Sequence, residues 1–265
     1  MTLKDHGTEN FAHFAADMIR RSGEKALSYY GRGKSYVKFD DDLITEAEIS
    51  LTELFRGELK SNFPEHQVFE SGQKDTAYTH EGKRYVWVYD ALDGVANFQA
   101  GIPIWGISLA LLDNFWPIFG LFYMPATGDL FSAKAGDKAY RGDEEIRISP
   151  QEDVSNETLL LTYSRFHQHY QPNFPGKIRN MGCTAAHICY VAMGRAEAAI
   201  IANESYHDLA AASIIIEAAG GKIYKMDGSE FFIGEDSAGQ RSDHLLVAAP
   251  NTYSQTRACL KNIGD

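Results

Sequence analysis

Apolar positions near the start of the chain recur at helical spacing: Phe11, Phe14, Ala15, Met18 and Ile19. A stripe of that period predicts an amphipathic helix over about residues 8–30, closing near Gly31. Leu51, Leu54, Phe55 and Leu59, with Ile49 alongside, form a second stripe and predict a second helix. Thr45 followed by Glu48 has the spacing of a capping box that would open it, and Pro64 closes the helical stretch.

From Tyr85 the pattern turns strand-like. IPIWGISLALLDNFWPIFGLFYM reads as two strands joined at Asp113-Asn114, and DLFSAKAGDKAYRG as two shorter ones, with Pro125 and Gly128 marking a turn. After Arg141 the elements alternate. A strand is expected over Thr158–Thr162, a helix over Ala185–Gly194, a strand over Ala196–Ile201 and a helix over Asp208–Ala219, stopped by Gly220-Gly221. Strands at Lys222–Tyr224 and Leu245–Ala248 and a closing helix after Asn251 complete the pattern. This predicts two α+β halves, residues 1–145 and 146–265, with sheets layered between helices.

Composition narrows the partners more than the fold. The 265 residues are 44% hydrophobic, enough for a sizeable core. A net charge of −11 argues against a nucleic-acid polymer or an anionic membrane as partner. Cys183, Cys189 and Cys259 are odd in number and lack metal-type spacing, which suits reduced thiols in a cytoplasmic protein. MTLKDHGTENF lacks the pattern of a signal peptide, and no apolar run is long enough to span a membrane.

The candidate chemistry sits in WVYDALDGVANF, residues 87–98. A β-prone run ends there in Asp90 and Asp93, followed by Gly94. Two carboxylates that close repel unless a cation lies between them, and hard oxygen donors suit Mg²⁺. The Leu92 carbonyl could add a ligand, and the amides of Gly94, Val95 and Ala96 could face a phosphate at a helix start. A plain Asp-Gly turn reads equally well from these residues alone. YHDLAAASIIIEAAGG likewise places Asp208 in the first turn of an apolar helix, where an acid is favoured by the helix dipole alone.

Together the segments resemble the inositol monophosphatase family. WVYDALDGVANF is similar to its W-x-x-D-x-(apolar)-D-G-x-x-N-F metal motif, and YHDLAAASIIIEAAGG to its C-terminal D-x-A-A…E-A-G-G motif. MGCTAAHICYVAMGRAEAAI resembles the intervening G-x-A-A segment, so the likeness spans nearly the whole chain. The resemblance implies an αβαβα layered fold, often homodimeric, and a Mg²⁺-dependent, lithium-sensitive phosphatase of small phosphorylated substrates. It implies two or three ions held by Asp90, the Leu92 carbonyl, Asp93 and Asp208, with Cys183, Thr184 and Ala185 beside the substrate. Water activated by the metal attacks, and no covalent nucleophile is required.

Five departures qualify that picture. The family's E-E-S-G stretch is here VFESGQ, so either Phe69 occupies the ligand position or a shift of one residue brings Glu70 to the metal. Val95 replaces a threonine whose hydroxyl helps orient the attacking water. Glu48 replaces the aspartate paired with that threonine, and either reaches the water or serves the capping box. Ile201, seven residues before Asp208, replaces an acid that contacts sugar hydroxyls, and His207 replaces a tryptophan, either as a packed ring or as a donor to Asp208. YSRFHQHY, Tyr163–Tyr170, is similar to the S-R-x-H segment of related nucleoside 3′,5′-bisphosphate phosphatases, or is simply a polar loop. The expected substrate is therefore a phosphorylated polyol, by default inositol monophosphate. The alternatives are a nucleoside 3′,5′-bisphosphate, fructose bisphosphate, or a binding protein with weakened turnover.

Overall fold

A computed structural model describes residues 6–32, 41–69, 84–114, 116–149, 151, 153–233 and 242–263. Helices α1 (His6–Leu27) and α2 (Asp41–Asn62) lead into strand β1 (Gln67–Val68). Strand β2 (Tyr85–Asp93), the short helix α3 (Val95–Ala100), then β3 (Gly106–Asp113), β4 (Trp116–Met124), β5 (Asp129–Lys134), β6 (Ala139–Arg141) and β7 (Glu144–Ile146) follow. The remaining chain is β8 (Leu159–Thr162), α4 (Phe166–His169), β9 (Tyr170–Pro172), β10 (Lys177–Arg179), α5 (Thr184–Ala192) and β11 (Ala198–Ile201). It ends with α6 (Tyr206–Ala218), β12 (Lys222–Lys225), β13 (Leu245–Ala248), α7 (Tyr253–Ala258) and β14 (Leu260–Asn262).

Strands β1 to β7 lie in sequence order in one seven-stranded sheet, antiparallel except for the parallel β1–β2 pair. A five-stranded sheet runs β10-β8-β11-β13-β12, and β14 pairs with β9. Side-chain alternation along each strand divides the core into layers. Trp87, Tyr89, Leu109 and Leu111 face α1 and α2, packing on Phe11, Met18, Leu51 and Phe55. Val86, Val88, Ala110 and Leu112 face the other way, onto α5, α6 and the inner residues Leu161, Ile201, Leu245 and Val247 of the second sheet. Leu160, Ile200 and Leu246 point outward, under Phe166 of α4 and Leu260. The result is the αβαβα sandwich that the pattern and the resemblance predict. Helix α6, apolar on nearly every face, is the element that two sheets cover.

One local expectation fails. Helix α2 opens at Asp41, so Thr45 lies inside the helix and cannot cap it. Glu48 is thereby released from a capping role. The short β1, β7, β9, β10 and β14 have no periodic signal that a sequence reading could use. Among the described residues no helix is long and apolar enough to cross a membrane.

Candidate active site

Strand β2 carries Asp90 and Asp93 to its end, and a bulge puts them on one side. Asp90 is level with Ser108 and Asp93 with Gly106, three residues against two. The extra residue cancels the alternation that would otherwise turn the carboxylates to opposite faces. Leu92 lies in the bulge with its side chain in the helix-facing core.

Asp90 Oδ1 accepts the Leu92 amide at 3.1 Å, while Oδ2 is sealed from solvent and has no partner. Burial pushes this carboxyl well above the usual range, and the charges of Asp208, Asp93 and Glu48 push it further. Asp93 is held differently. Its carboxylate accepts the Cys183 thiol at 3.2 Å, the Thr184 amide at 3.1 Å and the Ala185 amide at 2.6 Å. It therefore caps the start of α5 from another element. Burial raises its pKa to about 6 despite those donors, with Asp208 adding to the rise. Cys183, buried and beside Asp93, has its pKa raised well above normal and stays a neutral donor.

Asp208 is the third helical residue of α6 and forms a reciprocal capping box with Ser205, whose amide lies 2.5 Å from Oδ2. The helix-dipole and metal readings of this acid are thus compatible. Gly94 turns the chain from β2 into α3 with φ +86°. A Cβ there would sit 3.0 Å from the Ile104 carbonyl and 3.1 Å from Cys183 Cβ, so only glycine lets the two loops close on Asp93. The amides of Val95 and Ala96 open α3 and have no partner within the helix.

A sequence profile of the inositol monophosphatase family matches residues 8–258. The chain belongs to that family. A histidinol-phosphatase from Chlorobaculum parvum is 30% identical over 248 residues, covering 89% of this chain and 94% of that one. Inositol monophosphatase 1 from Solanum lycopersicum is 29% identical, covering 91% and 93%. The fold superposes on a Thermotoga maritima IMPase with a TM-score of 0.74 at 21% identity, covering 94% and 96%. Members of the family are metal-dependent phosphatases of small phosphate esters, while these relatives differ in the substrate their names carry.

Against the inositol monophosphatase pattern, the remaining positions sort as follows. Glu70 lies outside the described residues. Phe69 donates its amide to the Trp87 carbonyl at 2.8 Å and packs its ring on Tyr206 and His207, centroids 4.5 and 4.9 Å apart. His207 Nε2 is 3.4 Å from the Phe69 carbonyl, and its ring packs in this cluster. Burial lowers its pKa and keeps it neutral. Glu48 is half-buried on α2, and burial raises its carboxyl pKa. Val95 packs at the margin of the helix-facing core. Ser164 of the Tyr163–Tyr170 segment accepts Asn180 Nδ2 at 2.9 Å, which ties that segment to the loop before α5.

The structure adds residues that sequence reasoning did not single out. Asn97, inside the quoted motif, bridges α3 to the loop before α5, and His187 holds that loop from within α5. Glu204 reaches Thr184 at 2.8 Å. Only Asn97 had a signal, its place in the D-G-x-x-N-F string.

The sealed Asp90 oxygen feels the charges of Asp208, Asp93 and Glu48, and repelling hard oxygen donors of this kind suit a hard cation. Among the described residues no three His, Cys, Asp or Glu side chains converge into a ready cage.

Proposed function

We propose that this chain is a Mg²⁺-dependent phosphomonoesterase acting on a small phosphorylated polyol, with inositol monophosphate as the reference substrate. The observation that carries it is the partnerless Asp90 oxygen beside Asp93, Asp208 and Glu48 at the edge of the α3 amides. Asp90, the Leu92 carbonyl, Asp93 and Asp208, with Glu70, would hold the ions. When bound, Mg²⁺ neutralises the carboxylates and acidifies the attacking water. The amides of Gly94, Val95 and Ala96 stabilise charge on the phosphoryl oxygens. Glu48, with a carboxyl made more basic by burial, takes the proton of the attacking water. Cys183 and the amides of Thr184 and Ala185 fix Asp93 to the start of α5, which would stand beside the leaving group.

Val95 favours a second reading, a family member with weakened turnover. Its apolar side chain packs at the core margin and offers no hydroxyl to the water. The test is phosphate release from a panel of phosphomonoesters with and without Mg²⁺, alongside Asp93→Asn. Metal-dependent release that this substitution abolishes supports the phosphatase. No release from any ester, with phosphate esters still binding, supports the second reading.

A further inference from the structure

We propose that Ser108 is a positioning residue for Asp90, its hydroxyl donating a hydrogen bond to the Asp90 carboxylate when a cation is bound. This rests on the metal-dependent phosphatase reading above. The three carboxylates assigned to the ions are held unequally. Asp93 accepts the Cys183 thiol and the amides of Thr184 and Ala185, and Asp208 is fixed by its capping box with Ser205. Among the described residues Asp90 has one donor, the Leu92 amide two positions along its own strand. Its Oδ2 has none.

Ser108 stands directly opposite, on β3. The β2–β3 ladder runs without a shift from the pair of Tyr85 and Asp113 to the pair of Asp90 and Ser108, so both side chains leave the same face of the sheet. Facing residues of an antiparallel pair carry Cβ atoms about 4.5–5.5 Å apart, a gap that a hydroxyl and a carboxylate bridge by turning toward each other. Ser108 is 1% exposed, and its Oγ, like Asp90 Oδ2, is closed to solvent and has no partner. The rest of this face is apolar. Across β4 the neighbour of Ser108 is Phe122, the next residue along the face is Ala110, and α6 adds Leu209, Ala212 and Ile216 to the same cluster.

A buried hydroxyl without a partner opposes folding, and at Ala110 the same layer is filled without one. The Asp90 carboxylate is the acceptor across the ladder from it. A carboxylate offers about four acceptor positions, so the Leu92 amide, a cation and the Ser108 hydroxyl can share Asp90. Carboxylates that ligate metals are themselves hydrogen-bonded, and removing such an outer partner typically weakens metal affinity about 10–100-fold. Ser108 thus weakens the metal-free fold and strengthens the loaded one.

Wild type and Ser108→Ala would be compared by Mg²⁺ calorimetry and by urea unfolding in chelator. The expected result is that Ser108→Ala binds Mg²⁺ about tenfold or more weakly. Its metal-free form should unfold at the same urea concentration as wild type or at a higher one. Equal Mg²⁺ affinity in the two proteins overturns the assignment while leaving the phosphatase reading intact. Weaker affinity in a variant whose metal-free form unfolds in less urea also overturns it, because the hydroxyl then has a structural partner without the ion. Calorimetry decides Ser108 even where wild type hydrolyses no ester, an outcome that removes the phosphatase reading by itself. If wild type takes up no Mg²⁺, the metal reading fails and the assignment fails with it.

Discussion

Asn97 Nδ2 donates to the carbonyls of Ile104 and Met181, each at 2.6 Å, and so ties the turn after Asp93 to the loop that opens α5. The Met181 amide in turn donates to His187 Nε2 at 3.0 Å. Burial lowers the His187 pKa to about 4, so the ring is neutral and Nε2 keeps its lone pair for Met181. Gly182 stands between them at φ +74°, where a Cβ would lie 3.0 Å from the Asn97 amide. The α5 donors therefore reach Asp93 only while this lock is closed.

Asn97→Asp keeps the shape of the side chain and removes both donors. It should cost about 2–4 kcal/mol, since two buried carbonyls lose their partner. The α5 amides should also lose registry with Asp93. Urea unfolding reads the first effect and Mg²⁺ calorimetry the second. A variant with weakened stability and unchanged metal affinity would reduce the lock to a purely structural one.

Asp90 leads to the opposite expectation for stability. Its unpartnered oxygen and three acidic neighbours oppose folding whenever no cation is bound. Asp90→Asn should raise metal-free stability by about 1 kcal/mol or more, abolish turnover, and remove the stabilisation that Mg²⁺ gives wild type. Thermal unfolding in chelator and in Mg²⁺ measures both. A destabilised metal-free variant would show that the carboxylate has a structural partner after all.

Asp93 gives the pH dependence. Burial raises its carboxyl pKa from near 3.8 to about 6, so at intermediate pH the folded chain keeps a proton that the unfolded chain has lost. The Asp93 contribution to metal-free stability should then fall as pH rises through that interval, by at most about 3 kcal/mol. Bound Mg²⁺ should remove the fall, and Asp93→Asn should lessen it, the remainder belonging to Asp90, whose carboxyl pKa burial also raises. Urea unfolding between pH 4.5 and 7.5 decides the matter, and a metal-free stability that rose with pH would contradict this account.

What could be read from the sequence follows from where each signal is stored. The layers were legible because α1, α2 and the β2–β4 meander write their burial into apolar periods. The motif aspartates were legible because their spacing is local. Thr45 misled because a capping box is a four-residue pattern and the helix start depends on what precedes it. Glu204, His187 and the second role of Asn97 were hidden because each acts across the fold. Glu204 meets Thr184 from 20 positions away and Asn97 meets Met181 from 84.

Val95 is the residue on which the reading of weakened turnover rests. Its side chain packs at the margin of the α1–α2 core, and Glu48 lies close enough to Asp90 to raise its pKa. If Glu48 works on the water alone, a hydroxyl at position 95 should improve water orientation and raise kcat on the order of tenfold. Val95→Thr should also cost about 1 kcal/mol, because a hydroxyl is not a neutral replacement for a packed methyl. Glu48→Gln in both backgrounds separates cooperation from independence. A larger loss of kcat in the Val95→Thr background shows that hydroxyl and carboxylate act on the same water. Equal losses show that the two groups act independently, and a smaller loss in the Val95→Thr background shows that Glu48 compensates for the missing threonine. Unchanged kcat in Val95→Thr would place the limit on turnover elsewhere, with the Phe69 or Glu70 alternative at the ligand position the next to test.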